Sequence, residues 1–385
     1  NLVGKKKSQL FMRNKKQMKK KILFLVQLPE PTHGSSLVNL SIKKSKEIKK
    51  IFKTSFIDIS TTNVTNEINS FKFKKIFIFI CIVFRLFKKL IFFKPDKVYI
   101  SLSVLGLGFI KDSILVIISK LFGFKLIFHL HRKGVHKVVK KSLLYNLYYK
   151  FIFNNVEVIH LSNVLFNDIK LIKDQSEKSY VVHNGIYNQS LKKIKKDKIC
   201  TFVFISNLFK FKGIDLLLKS ILLLNKQKYS KKFKVKIIGE CTNDFKKKDL
   251  NNFLNKNKIF KNASFMGAKY DRAKFKQLSS SHVMVFPTKD DCFPLCILEA
   301  MSCGLPVITS HEGAIPEMIK NNRNGILLKK LKPSLIANAM KIFITKHTIL
   351  KKYSKNNLKD FNQKYTMNLF QNNLTNVLKK SLMNN

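Results

Sequence analysis

The residues whose types and spacing carry the most chemistry lie between Phe286 and Ile308. An apolar run from Val283 to Phe286 gives way to Pro287-Thr288 and then to the acidic pair Asp290-Asp291. Pro294 stands where proline suits a first helical turn, and Gly304 where a helix would stop. The free backbone N–H groups of such a helix start favour an anion or a polar oxygen. Glu299 falls inside this helix among apolar neighbours, where an uncompensated carboxylate is costly. It therefore needs a donor. Two candidates stay open: the paired hydroxyls of a bound ribose, or a neighbouring lysine, which this chain supplies in abundance.

Asp291 and Glu299 are separated by seven residues, and the helix reads Glu-Ala-Met-x-x-Gly-x-Pro-Val. In this the chain resembles the large retaining glycosyltransferase family called glycosyl transferases group 1, of the GT-B fold, whose first acidic position is more often Glu. The resemblance runs along almost the whole chain from Met18. It implies that Glu299 binds the donor ribose and Asp291 the transferred sugar, with Phe293, Pro294 and Leu295 presenting backbone amides. The segment Ser206 to Gly213 resembles the family's diphosphate clamp: Lys212 and Gly213 match, Asn207 stands where Arg is common, and Lys210 is near enough in sequence to replace that charge. A fixed ammonium here would act in the transition state, because the departing nucleoside diphosphate gains negative charge as the glycosidic bond breaks. Without that setting, a single lysine is simply a solvated surface charge.

Three further segments extend the likeness. His33-Gly34-Ser35-Ser36 resembles the family's glycine-containing loop near the donor phosphates and the acceptor, so Gly34 is assigned to donor binding. His129 to Gly134 resembles a segment with an active-site histidine. Strand alternation puts His129 and His131 on one face with His131 nearer a cleft, although either could be a satisfied core histidine. Asn184-Gly185 matches the strand end before the interdomain crossing and is read as structural. In the Glu312 to Glu317 loop, Gly313 would permit close backbone approach and Glu317 would cap a helix, with no catalytic role.

These positions need a scaffold, and the hydrophobic pattern supplies one. Short apolar runs at Lys21 to Leu28, Lys97 to Ser101, Lys125 to His131, Glu157 to Leu161 and Ser179 to Val182 alternate with helix-length stretches, one of them a helix from about Ser35 to Phe52. After a basic linker at Leu191 to Lys198, a second set begins: Thr201 to Ser206, Lys234 to Ile238, Ala263 to Met266, Val283 to Phe286 and Pro306 to Thr309. The expected fold is α/β, two Rossmann-like doubly wound domains facing a cleft, with ligands at the carboxyl ends of the strands. The expected divisions are an extension over 1–17 before a natural start at Met18, an acceptor-side domain over 18–192, and a nucleotide-sugar-binding domain over 193–366. A C-terminal helix over 367–385 would pack back on the first domain.

Composition narrows the class. The 385 residues are 45% hydrophobic and 11% aromatic, enough for buried cores. Lys and Arg number 74 against 22 Asp and Glu, a net +52 that draws in polyanions. An AT-rich coding sequence would also produce part of this excess, since Lys, Asn, Ile and Phe are all abundant and Trp is absent. The six cysteines form no CxxC pair, so buried reduced thiols in a cytoplasmic protein are expected rather than disulfides or zinc. The most apolar helix candidate, Phe71 to Phe93, has a core from Ile76 to Phe84, far below the ~20 residues that span a bilayer. Its flanking Lys74, Lys75, Arg85, Lys88 and Lys89 suit either a helix on an anionic membrane surface or a packed helix with a solvated basic face.

The chain has no Gly-x4-Gly-Lys-Ser/Thr loop, no Gly-x-Ser-x-Gly elbow, and neither HExxH nor Asp-x-Asp. No metal and no cofactor are expected; the nucleotide sugar, UDP-, GDP- or related, is substrate. The resemblance implies hexosyl transfer with retention to a glycan or lipid-linked acceptor, consistent with bacterial surface polysaccharide synthesis (capsule or lipopolysaccharide). The enzyme would be cytoplasmic or peripheral at the inner membrane face, with an anionic membrane surface as partner and nucleic acid not expected. Two rivals remain: a non-catalytic basic module that binds membrane or RNA, and a sugar-nucleotide epimerase of the same architecture.

Overall fold

A computed structural model describes residues 19–30, 32–61, 73–174, 178–189, 191, 194–227 and 229–383. The extension expected over 1–17 lies outside them, as do Phe71 and Lys72. Among the described residues, twelve strands form two six-stranded sheets in which every pairing is parallel. The N-terminal sheet holds β1 (Lys21–Val26), β2 (Lys53–Asp58), β3 (Lys97–Leu102), β4 (Leu126–Leu130), β5 (Val156–His160) and β6 (Ser179–Val181) in the order β2-β1-β3-β4-β5-β6. The C-terminal sheet holds β7 (Cys200–Ile205), β8 (Phe233–Ile238), β9 (Ala263–Phe265), β10 (Val283–Phe286), β11 (Val307–Ser310) and β12 (Gly325–Leu328) in the order β12-β11-β10-β7-β8-β9. Strands β3, β4, β5 and β7 are buried at every residue, which is why they read as unbroken apolar runs.

The helices that position the site are α1 (Gly34–Lys44), α2 (Lys46–Ile51), α3 (Phe73–Lys88), α4 (Gly106–Leu121), α5 (Leu143–Phe153), α6 (Ile214–Asn225), α7 (Asp271–Ser279), α8 (Leu295–Ser302) and α9 (Met367–Met383). Three sequence expectations need correction. The single helix expected over Ser35 to Phe52 is two, because the Ser45 hydroxyl accepts from the Ile48 amide and starts a new helix after an extended residue. Strands β2 and β12 were not foreseen; both are edge strands. Among the described residues, no helix is long and apolar enough to cross a membrane.

Each sheet reverses direction once. In the N-terminal sheet the switch lies between β1 and β3, in the C-terminal sheet between β7 and β10. The loops leaving the carboxyl ends at such a switch leave a crevice for ligand. The chain passes between the two halves at two adjacent points. Ile186 donates to the Tyr365 carbonyl (3.0 Å) and Met367 to that of Ile186 (2.9 Å). Gly185 has no room for a side chain, since a Cβ would lie 2.4 Å from the Thr366 carbonyl oxygen. Beyond this return, α9 inserts Met367, Phe370, Leu374, Leu378 and Leu382 into the same core as Ile22, Phe24 and Tyr99. Lys97, fully buried in β3, fastens it by donating to Glu157 (3.0 Å) and to the Ser381 carbonyl (2.6 Å).

Candidate active site

A cavity of about 870 Å3 joins the two switch points. Gln27, His33, Gly34, Ser103 and His131 face it from the N-terminal half; Lys212, Asp291, Phe293, Pro294 and Leu295 face it from the other. Lys212 ends a 3-10 turn, Lys210–Lys212, after β7. That turn is fixed to the acidic loop: Lys289 donates to the Phe211 carbonyl (2.7 Å), and Gly213, at φ +86°, sits where a Cβ would be 2.1 Å from the Pro287 carbonyl oxygen. A residue with a side chain would push the two loops apart. So held, the Lys212 ammonium donates to Asp291 Oδ2 (2.6 Å) and to the Asp290 carbonyl (3.2 Å), and lies over the Phe211 ring at 5.0 Å. The other Asp291 oxygen accepts from the Cys292 amide (3.0 Å). Gly313, at φ +50°, packs against the Asp291 and Cys292 carbonyls, so the loop is held from behind as well.

Glu299 lies one turn beyond Cys296 on α8. Its carboxylate, 14% exposed, pairs with Lys274 of α7 at 2.5 Å and does not line the cavity. Of the two donors that the sequence left open, a lysine fills the place. Burial pushes the Glu299 carboxyl above its usual range and Lys274 opposes that shift. The two lysine–carboxylate pairs nevertheless share a neighbourhood. The Cys296 thiol is pushed well up by burial and then by Asp291 and Glu299, while Lys212 and Lys274 pull it back.

On the facing wall the two histidines lie side by side, with the later one nearer the cleft, as strand alternation led us to expect. His129 is buried and bonded to the Tyr99 hydroxyl, whereas His131, its ring centroid 4.1 Å away, reaches the cavity. Both His131 ring nitrogens are shielded and have no partner among the described residues. Burial, and then the nearby His33, bring its pKa down to about 3, so the ring is neutral and can accept from, or donate to, a ligand hydroxyl. An unmet polar group of this kind costs ~1–3 kcal/mol, which a bound ligand would recover. The side-chain oxygen of Asn184 is also buried, unpartnered and on the cavity wall. Its sequence signal, Asn-Gly at a strand end, had suggested a structural role only.

Other sequence assignments fall elsewhere. Asn207 does not line the cavity; its side-chain oxygen accepts from the Glu240 amide (3.3 Å). Lys210 does not line it either, so it brings no second charge there. Further cations come instead from the opposite half, as Arg132 and Lys133. Lys133 bridges to Glu312 and lies 3.7 Å from Asp290; burial lowers its pKa, but Glu312 and Asp290 outweigh that and hold it above its usual range. Gly34 begins α1 behind the His33 cap, and a Cβ there would meet Leu295 at 3.8 Å, so the two walls nearly touch at this point. Glu317 caps a helix of the other half, accepting from Ser162 (2.7 Å) and the Val164 amide (3.1 Å). The cysteines are free thiols, and among the described residues no group of His, Cys, Asp and Glu has a metal-holding arrangement.

Two parallel sheets whose switch points face one cavity define a GT-B architecture, and comparison with known proteins agrees. HepE of Anabaena, solved with UDP and glucose, superposes with a TM-score of 0.71 at 15% identity, covering 94% of this chain and 99% of that one. WaaG, described as a glycosyltransferase involved in lipopolysaccharide biosynthesis, superposes at 0.65 with 12% identity, covering 91% and 98%. Residues 187–360 match the family model described as Glycosyl transferases group 1. That match takes in the whole of the C-terminal sheet. An uncharacterized glycosyltransferase of Methanocaldococcus jannaschii is 23% identical over 230 residues, 60% of this chain and 61% of its own length. The chain thus spans about three fifths of that curated relative.

Proposed function

We propose that this protein is a retaining glycosyltransferase that moves a hexosyl unit from a UDP-, GDP- or related nucleotide sugar to a hydroxyl of a glycan or lipid-linked acceptor. Its setting would be surface polysaccharide assembly, such as capsule or lipopolysaccharide, at the cytoplasmic face of a membrane. One observation carries the reading: Lys212 and Asp291 lie 2.6 Å apart on the wall of a cavity that joins both switch points, with the unpartnered ring of His131 on the facing wall. The HepE complex with UDP and glucose supports the choice of donor class.

In this reading the donor diphosphate takes the Lys212 ammonium, and the backbone amides at the start of α8 bind its remaining oxygens. Asp291, released from Lys212, accepts from hydroxyls of the sugar, and His131 meets another. The bond from the anomeric carbon to the diphosphate oxygen breaks while the acceptor oxygen bonds to that carbon from the same face. The acceptor proton passes to the departing phosphate oxygen. Charge grows on that phosphate, so Lys212 helps the transition state more than the ground state. Glu299 would reach a ribose only by sharing or leaving Lys274.

The test is a thermal-shift screen with UDP, GDP, ADP and their sugars. One nucleotide at 100 times its Kd should stabilise the protein by about 2.7 kcal/mol. Lys212→Ala should abolish the response and Glu299→Ala weaken it. Silence towards every nucleotide would dismiss the proposal.

A further inference from the structure

Helices α3, α4 and α5 lie side by side on one face of the N-terminal sheet, with Phe87 against Phe122 and Phe109 against Tyr148 and Tyr149. Their inner faces bury residues such as Leu86, Leu115 and Ile152. Their outer faces are apolar too. Along α3, Phe73, Phe77, Ile80 and Phe84 recur at helical spacing, with Phe77 and Phe84 68% and 70% exposed. On α5, Leu144, Leu147 and Phe151 do the same, Leu144 at 80%. A helix that is apolar on both sides normally has both sides covered, and an exposed apolar patch of this extent marks an interaction surface.

Charge says what covers it. Apart from the fully buried Asp112, every ionic side chain on the three helices is a lysine or arginine. Aromatic and aliphatic stripes flanked by long basic side chains fit the interface of an anionic bilayer, where apolar groups enter the acyl boundary and ammonium groups stay with the headgroups.

The cavity is continuous with this surface. From Lys212 and His131 it runs to a far end between α3 and α4, walled by Ile76, Phe79, Leu107, Ile110 and Ile114 and edged by Lys75 and Lys111. A polar glycan has no use for hydrocarbon walls. We infer that the acceptor is an amphiphile with an anionic head, drawn from an anionic membrane on which α3, α4 and α5 lie, and that its hydrocarbon chain occupies the groove between α3 and α4. The inference depends on the glycosyl-transfer reading for the chemistry at the other end of the cavity, not for the lipid itself.

Two measurements test it on the full chain. In co-sedimentation, vesicles mixing phosphatidylglycerol with phosphatidylcholine should bind at least tenfold better than phosphatidylcholine alone, and the triple variant Phe77→Ser, Phe84→Ser, Leu144→Ser should lose that binding. In thermal shift, dodecyl phosphate below its micelle concentration should raise Tm where inorganic phosphate does not, and Ile114→Glu, or Ile110→Glu if the first misfolds, should remove the rise. Equal vesicle binding by wild type and triple variant overturns the proposal. So does a dodecyl phosphate response no larger than that of phosphate, or capture of RNA in place of vesicles. If both lipid results hold while no nucleotide binds, the transfer reading falls and the lipid groove stands.

Discussion

Two lysine–carboxylate pairs flank Cys296, and by local geometry they are near twins. Lys212–Asp291 measures 2.6 Å with side chains 19% and 15% exposed; Lys274–Glu299 measures 2.5 Å with 20% and 14%. Their settings differ. The first lines the large cavity, its ammonium also bonded to a backbone carbonyl; the second joins two helices away from that cavity. Charge separation alone therefore does not identify a working pair. What marks the first is access: both of its members line the cavity, where a ligand would meet them.

The sharpest way to break the contrast is to remove each ammonium. Lys212→Ala should lower the transfer rate by about 10²–10³-fold, as losing a fixed donor to a developing anion commonly does, while Lys274→Ala retains a nucleotide diphosphate response. Equal losses in both variants would erase the distinction. Next in size, Gly213→Ala should cost about 2–3 kcal/mol in urea unfolding, because its backbone is left-handed and its Cβ would strike the Pro287 carbonyl that fixes the Lys212 turn. Gly34→Ala, with only a 3.8 Å contact, should leave stability within about 0.5 kcal/mol.

Glu299→Ala should destabilise by about 2 kcal/mol, by leaving the Lys274 ammonium without its charged acceptor. Urea midpoints read this directly, and an unchanged midpoint would mean that the second pair is no structural tie. The gentlest test concerns the wall opposite the first pair. Burial holds His131 at about 3 and His160 at about 4, whereas unfolded histidines titrate near 6.5. Below pH 6.5 the unfolded chain binds more protons, so stability should fall with acidification by up to about 1.4 kcal/mol per pH unit for each histidine, and be flat above. In His131→Gln the slope between pH 6.5 and 5 should be shallower.

The elements of the fold were not equally legible in the sequence. Strands buried on both faces announced themselves as apolar runs, and the loop and helix from Phe286 to Gly304 lie where proline, acid and glycine signals put them. Of the four edge strands, β6 and β9 were foreseen but β2 and β12 were not: β2 is only half-buried along most of its length, and β12 is a four-residue strand, so neither breaks the surrounding pattern. The break at Ser45 went unseen because its neighbours keep helical composition on both sides. Within the site, Lys212 and Asp291 could be picked out by the motifs they resemble, and His131 by strand alternation within such a motif; each follows a strand end. Asn207 follows one as well, yet its side chain turns to the Glu240 amide, a choice made by a partner 33 residues away. Lys133 and Glu312 meet across the cleft from segments 179 residues apart, a contact that no local spacing encodes.

The place of α9 has a consequence for how the molecule is made. The core around β1 is finished by Met367 to Leu382, and the buried ammonium of Lys97 finds the Ser381 carbonyl 284 residues further on. During synthesis the N-terminal sheet emerges first but lacks one wall, and one of the acceptors of its buried lysine, until this helix leaves the ribosome. The half translated first is thus the half completed last, and a nascent chain stalled after β12 would still expose the apolar flank that α9 covers.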